Sequence, residues 1–167
     1  MTWRRSLISS TKPFERTLRL NSGPLGGAMR DPIDEVIAMW REQGIKLNPR
    51  ASESDLDRLA NFLRCPLPAD VRKFYGVANG APDGDNRLMT FWSIEEIATD
   101  PDSVLEGDDR RAIAFAHAMA FAWFYRYVAT PEGLSVVSDL EPDRSWPNLS
   151  AFLRDYLDDP SNIAYVD

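Results

Sequence analysis

The chain has one histidine, one cysteine and no long apolar run among its 167 residues. A single imidazole excludes mechanisms that need two histidines, and it also excludes a histidine-rich metal site. Cys65 has no second cysteine for an internal disulfide, so nothing demands an oxidising compartment and we expect a cytoplasmic protein. Because no run reaches about 18 apolar residues, we predict no membrane span and no membrane partner.

Motifs of nucleotide binding and nucleophilic catalysis are also missing. The chain contains no G-x-x-x-x-G-K-[ST], G-x-G-x-x-G or G-x-S-x-G pattern. Asp83-Gly84-Asp85 lacks the later glutamate of a calcium loop and is interpreted as a polar loop. His117 has apolar neighbours and is interpreted as a core or sheet-edge residue, and Cys65 as a small buried hydrophobe. We therefore predict no catalytic residue, no cofactor and no metal.

The charge is distributed unevenly along the chain. Residues 1–30 carry six Arg or Lys and one acid, whereas residues 31–167 carry thirteen basic and twenty-five acidic side chains, a net charge of −12. Such a domain repels nucleic-acid phosphates and attracts basic surfaces. We expect no nucleic-acid partner. The alternative reading of the acidity is that it only keeps the protein soluble.

The length and composition predict a single folded domain. The first 30 residues are rich in Arg, Ser and Gly and are interpreted as a disordered basic leader or a non-native extension. Residues 31–167 form a segment of 137 residues, which is long enough for one domain with its own hydrophobic core.

Capping signals and apolar periodicity predict the helices. Asp31-Pro32 begins the first helix, and Ser52 with Asp55 forms a capping box that begins the second. A short third helix spans about residues 69–78 and ends at Asn79-Gly80, two residue types that tolerate positive φ. Apolar residues at helical spacing predict a last helix over about residues 149–157.

The strands are predicted from β-branched and aromatic residues. Residues 88–92 form the first strand, and residues 134–137 form a later one. Between them, residues 112–128 are interpreted as two antiparallel strands joined near Met119. Alternation puts four aromatics on one face of the second of these strands: Phe121, Trp123, Tyr125 and Tyr127. Residues 100–109 are predicted to be a loop. The pattern as a whole predicts an α+β fold, with N-terminal helices and a C-terminal helix packed on a mostly antiparallel sheet of four to six strands.

The order of these features resembles a known family. Leu67-Pro68-x-Asp70, a short amphipathic helix, Asn79-Gly80, a polar loop and a strand ending Phe91-Trp92 before Ile-Glu-Glu-Ile are similar to the SMI/KNR family of the SUKH superfamily. The resemblance covers about residues 40–160 and implies a SUKH-like α+β domain. It also implies a non-enzymatic protein-binding module, because many bacterial members are immunity proteins that neutralise polymorphic toxins, often nucleases.

The acidic composition fits that implication. We expect the chain to neutralise a cognate, basic toxin domain, with a nuclease as one candidate, and to be a monomer or a weak dimer. The expected binding surface consists of an acidic patch with Trp92 or Tyr125 as an aromatic anchor. The acids of this patch are Glu95, Glu96, Asp100, Asp102, Glu106, Asp108 and Asp109.

Two alternatives to the immunity function stay open. One is a regulatory interaction hub without a toxin partner, as in the fungal relatives that act in cell-wall synthesis and signalling. The other is a small hydrolase that uses the carboxylates, although no base, metal or nucleophile constellation is visible in the sequence.

Overall fold

The computed structural model describes residues 30–106, 111–131, 133–141, 143–159 and 163, except for the side chains of Asp102 and Glu106. Apart from Arg30, the predicted leader lies outside the described residues, so the division of the chain at residue 30 stays a prediction. None of the described helices combines the length and the apolar composition that crossing a membrane requires.

The described residues contain five α-helices: the four predicted helices form at or close to their predicted positions, and a short fifth helix lies between the third and the last of them. Asp31 accepts a hydrogen bond from the N–H of Ile33 at 2.8 Å, and Ser52 and Asp55 form the complete capping box. Each cap satisfies backbone donors that have no partner within the helix. The helices are α1 (Pro32–Glu42), α2 (Glu53–Leu63), α3 (Ala69–Val77), α4 (Ile94–Thr99) and α5 (Leu149–Asp158).

Six strands in the described part of the chain form one antiparallel sheet. Its order is β1-β3-β4-β5-β6, and β2 also pairs with β3. The strands are β1 (Met89–Phe91), β2 (Val104–Glu106), β3 (Arg111–Ala118), β4 (Trp123–Thr130), β5 (Gly133–Ser138) and β6 (Ser145–Trp146). The predicted α+β fold with an antiparallel sheet is therefore confirmed.

An aromatic core joins the helices to one face of the sheet. Phe115 of β3 stacks on Tyr127 of β4 at a centroid distance of 4.1 Å and meets Phe152 of α5 edge-on at 5.6 Å. Phe91 of β1 contacts Trp40 of α1 at 4.8 Å. These five rings are fully buried, and aromatic pairs in such geometries add stability beyond the burial of their area.

Asp70, the acid of the Leu-Pro-x-Asp motif, ties two helices together. One carboxylate oxygen accepts from the N–H of Val71 in the first turn of α3 at 2.9 Å. The other accepts from the N–H of Ser150 in the first turn of α5 at 3.0 Å. The motif therefore stabilises a contact between elements that are 80 residues apart in sequence.

The structure differs from the sequence prediction in three places. The predicted loop over residues 100–109 contains a 3₁₀ helix at Pro101–Ser103 and strand β2. Strand β6 was not predicted either. These strands have only three and two residues, which is too short to show the alternation of apolar and polar residues by which a strand is recognised in a sequence.

The third difference concerns Phe121, which belongs to a turn and not to strand β4. Met119, Ala120 and Phe121 all have left-handed backbone conformations, with φ of 48°, 52° and 71°. This run ends the pairing of β3 and β4 and interrupts the predicted alternation. The Phe121 ring consequently contacts His117 and Phe124, away from the core face that holds Tyr125 and Tyr127.

Candidate partner-binding surface

The acidic residues predicted to bind a partner cluster in part around α4. Ser93 caps this helix, and its backbone N–H and hydroxyl both donate to the Oε2 atom of Glu96 at 2.7 Å. Glu95 is exposed, whereas Glu96 and Asp100 are half-buried. The structure thus brings Glu95, Glu96 and Asp100 together on one short helix and its end.

The other four predicted acids cannot be placed on this surface. The backbone of Asp102 lies in the 3₁₀ helix and that of Glu106 in β2, but their side chains lie outside the described part of the structure. Asp108 and Asp109 lie wholly outside the described residues.

Tyr125 is a core residue, which contradicts its predicted role as an exposed anchor. Its side chain is only 1% exposed. The centroid of its ring lies 6.1 Å from that of Trp146 and 5.0 Å from that of Phe152. The hydroxyl donates to the backbone carbonyl of Ile163. Burial raises the pKa of Tyr125 to about 12, because an ionised phenolate would lose its hydration there.

Trp92 is also buried, at 3% exposure, so it cannot project into a partner as an anchor. It belongs to an aromatic cluster on the side of the sheet opposite to the core. His117 and Phe124 are cross-strand partners next to the core-facing pair Ala116 and Tyr125, and neighbouring residues of a strand point to opposite faces. The Trp92 ring lies 5.9 Å from His117 and 5.7 Å from Phe124.

Phe121 is the exposed member of this cluster. Its ring is 58% exposed and stacks on His117 at a centroid distance of 4.0 Å. The backbone N–H of Phe121 donates to Nδ1 of His117 at 3.3 Å, so this nitrogen acts as an acceptor. Burial lowers the pKa of His117, and the negative charges of Glu96 and Asp100 oppose that effect.

A pocket of about 350 Å³ opens beside this cluster. We call it the aromatic–acidic pocket and define it by three aromatic residues, Trp92, His117 and Phe121, and three carboxylates, Asp83, Asp85 and Glu96. No Lys or Arg is among the described residues that line it. The pocket therefore combines an exposed aromatic ring with uncompensated negative charge.

Asp85 holds the wall of this pocket in place. It is 7% exposed, and its Oδ2 accepts from the indole N–H of Trp40 at 3.1 Å. Its Oδ1 accepts from the backbone N–H groups of Arg87 and Met89 at 2.9 and 3.0 Å. A buried carboxylate with three donors is well satisfied. The polar loop predicted from Asp83-Gly84-Asp85 is thus fixed to α1 and β1.

A second hollow, of about 590 Å³, lies next to the first. Phe124 lines it, and the Phe124 ring is 6.2 Å from Phe121, which lines the aromatic–acidic pocket. Within it, the guanidinium of the buried Arg126 donates to both carboxylate oxygens of Asp139 at 2.9–3.0 Å and to the carbonyl of Ser103 at 3.1 Å. These bonds fix the floor of the hollow.

Exposed apolar side chains concentrate around the two hollows. Six large hydrophobic residues are exposed in the part of the chain that the structure describes. Leu88 and Phe121 line the first hollow, Leu105 and Leu140 line the second, and the N–H of Met119 donates to the carbonyl of Leu88 at 2.9 Å. Val77, on α3, lines neither hollow. We call this surface the apolar–acidic face. Its exposed apolar residues are Leu88, Leu105, Met119, Phe121 and Leu140, and its acids include Asp83 and Glu96. The binding surface predicted from the sequence included Glu96 but none of the five exposed apolar residues, because scattered exposed hydrophobics give no periodic signal.

Neither reactive side chain singled out by the sequence is arranged for catalysis. Burial raises the pKa of the Cys65 thiol, which favours the unreactive protonated form. His117 already accepts a backbone hydrogen bond at Nδ1. No group of three or more His, Cys, Asp or Glu among the described residues is arranged to hold a metal ion.

Comparison with known families identifies the domain. The model of the SMI1 / KNR4 family (SUKH-1) matches residues 50–155. The chain belongs to this family. The predicted family is therefore confirmed, and the SUKH-1 match extends from just before α2 into α5 and contains the whole apolar–acidic face. Comparison with curated proteins gave no match.

Proposed function

We propose that this SUKH-1 domain is a non-enzymatic, cytoplasmic protein-binding module that acts as an immunity protein. In this proposal it neutralises a cognate basic toxin domain by covering it with the apolar–acidic face. The observation that carries the proposal is that five of the six large hydrophobics that are exposed among the described residues lie on this one surface. Exposed apolar patches that are rimmed by polar residues are typical of protein interfaces.

The chemistry of the face suits a basic protein partner. Its apolar residues can exclude water at the centre of an interface, where most of the binding energy arises. Carboxylates at its rim and the net charge of −12 over residues 31–167 would steer a positively charged partner and accelerate association. A nuclease carries a basic cleft for its substrate, so it is one kind of toxin that such a surface could occlude.

A regulatory hub without a toxin partner is the second candidate. The same apolar residues support it, because they would serve any protein partner, and membership of the family is compatible with both functions. The two proposals differ in whether the partner is toxic when the domain is absent. The hydrolase alternative, which would use the carboxylates, has the weakest support, because Glu96 caps α4 and Asp85 accepts three hydrogen bonds from neighbouring groups.

The test combines capture of the partner with a toxicity assay. Tagged wild-type chain is incubated with lysate of its own host, and each captured protein is then expressed alone and together with the chain. The immunity proposal requires a captured protein that arrests growth alone and becomes harmless upon co-expression. If every specifically captured protein is harmless alone, the immunity proposal is wrong and the hub proposal takes its place.

A matched pair of variants tests the surface itself. Leu88→Asn with Leu140→Asn removes two exposed apolar side chains from the face, and Asn tolerates the φ of 60° at position 88. Val77→Asn makes the same kind of change at the exposed apolar residue outside the face. We expect the double variant to weaken capture about tenfold and Val77→Asn to leave it unchanged. Equal capture by both variants would exclude the apolar–acidic face as the interface.

A further inference from the structure

The aromatic–acidic pocket has the composition of a receptor for one cationic side chain. The Phe121 ring covers His117 with one face, and more than half of Phe121 remains exposed. A cation over the exposed face of an aromatic ring is attracted by the ring quadrupole. A planar guanidinium can additionally stack on the ring, which an ammonium cannot do.

The three carboxylates of the pocket provide the complementary charge. Glu96 uses Oε2 to cap α4, and no hydrogen bond from a described residue reaches Oε1. Asp83 is exposed at the mouth of the pocket. Asp85 lies deeper, and the three groups of the described residues that donate to its carboxylate are all neutral. A guanidinium entering the pocket would therefore meet negative potential on several sides without displacing an internal cation.

His117 contributes a further polar group to the pocket. Its side chain is only 5% exposed, and its Nδ1 atom accepts a hydrogen bond from the backbone N–H of Phe121. The neutral imidazole therefore carries its proton on Nε2, and Nε2 has no hydrogen-bond partner among the described residues. This N–H group can donate to a carbonyl oxygen. A bound peptide segment would supply such an oxygen from its backbone, next to the side chain that enters the pocket.

From this juxtaposition we propose that the aromatic–acidic pocket receives an arginine side chain of the protein partner. The guanidinium stacks on Phe121 and pairs with Glu96 and Asp83, and a backbone carbonyl of the same segment accepts from Nε2 of His117. This inference rests on the proposed function in that it identifies what the binding face recognises. It also gives the surface a specific contact that a general acidic patch would lack.

The direct test uses a small probe and needs no knowledge of the partner. N-acetyl-arginine methylamide is titrated into the ¹⁵N-labelled full chain, and the indole N–H signals of Trp92 and Trp123 are followed by NMR. Trp92 lines the aromatic–acidic pocket, whereas Trp123 lines the neighbouring hollow. We expect saturable shifts at Trp92 and none at Trp123. N-acetyl-citrulline methylamide, which has the same shape without the charge, should bind at least about threefold more weakly.

Variants separate the charge of the pocket from the net charge of the domain. Glu96→Gln keeps an oxygen that can complete the capping box of α4, so the helix should persist while one pocket charge is lost. Asp57→Asn removes the same charge from an exposed position of α2. We expect Glu96→Gln to weaken the arginine probe about two- to fivefold and Asp57→Asn to have no effect.

The outcomes distinguish this inference from the proposed function. Equal binding of the arginine and citrulline probes, equal effects of the two variants, or shifts centred on Trp123 would overturn the arginine pocket. Those results would leave the toxin-capture experiment unaffected. Conversely, if the arginine probe binds as expected but every captured partner is harmless, the pocket stands and the immunity function fails.

Discussion

Gly80 is the position at which a single methyl group should disturb the architecture most. It has φ of +87°, and a Cβ there would lie 2.5 Å from the carbonyl oxygen of Phe91. The same Cβ would lie 2.7 Å from the carbonyl carbon of Trp92 and 2.8 Å from the nitrogen of Ser93. All three atoms belong to the backbone that links β1 to α4, so no flexible side chain can move aside.

The surroundings of Gly80 are held on both sides. Its carbonyl accepts from the N–H of Asn48 at 3.1 Å, and the side chain of the preceding Asn79 accepts from the N–H of Ile94 at 2.9 Å. Ala81 donates to Phe91 at 2.8 Å. Relieving the clash would consequently require a shift of β1, of the first turn of α4, or of both.

Gly44 provides the matched control for Gly80→Ala. It has a similar φ of +72°, but a Cβ there would have no atom within 4 Å. Each Gly→Ala change carries the cost of a left-handed alanine, about 1–2 kcal/mol. Only Gly80→Ala adds overpacking, which typically costs about 1–3 kcal/mol. We therefore expect Gly80→Ala to lower the free energy of unfolding by about 1–3 kcal/mol more than Gly44→Ala.

Urea unfolding followed by tryptophan fluorescence measures both values. The wild-type chain and the two variants are compared under the same conditions, with the slope of each transition checked for two-state behaviour. The typical error of such mutant comparisons is smaller than about 0.5 kcal/mol. If the free energies of unfolding of the two variants agree within that margin, the close backbone approach described at Gly80 is wrong. Gly80→Ala should also abolish binding of the arginine probe, because the shift of the backbone would displace Trp92 and Glu96.

Three further predictions follow from burial. Burial lowers the pKa of His117 below its ordinary value of 6.5, so the folded state binds fewer protons than the unfolded state and the free energy of unfolding falls as the pH drops below about 6.5. In urea unfolding between about pH 7.5 and 5.5, this free energy should fall less for His117→Gln than for the wild type. An identical fall in both proteins would contradict the prediction. Burial raises the pKa of Cys65, so a disulfide reagent at neutral pH should label it more slowly in the native than in the urea-unfolded chain, and equal rates would refute the buried thiol. Phe152→Ala removes ring contacts with Phe115, Tyr125 and Trp146 and should cost about 3–5 kcal/mol in urea unfolding; a loss below about 1 kcal/mol would mean that α5 is not packed as described.

Local signals in the sequence predicted much of the fold. The Ser52 and Asp55 capping box, the positive φ at Gly80 and the amphipathic last helix all form as predicted. Each signal lies within residues that are at most a few positions apart, where capping, turn chemistry and periodicity act. The predicted turn between the two long strands was placed close to its position in the structure.

The candidate site was less predictable. The sequence singled out Trp92 and Tyr125 as anchors, but both are buried and Phe121 is exposed in their place. The difference arises because three left-handed residues interrupt the alternation of β4, and nothing in the residue types Met119, Ala120 and Phe121 favours that conformation.

The sequence by itself determined the helix ends, the α+β character and the family, because these depend on residues that interact with near neighbours and on their order along the chain. Only the tertiary structure decided which surface is available to a partner. Asp85 meets Trp40 across 45 residues, and His117 meets Trp92 across a strand pairing. Such contacts are set by how the helices and strands pack, and a pocket exists only after that packing has brought its walls together.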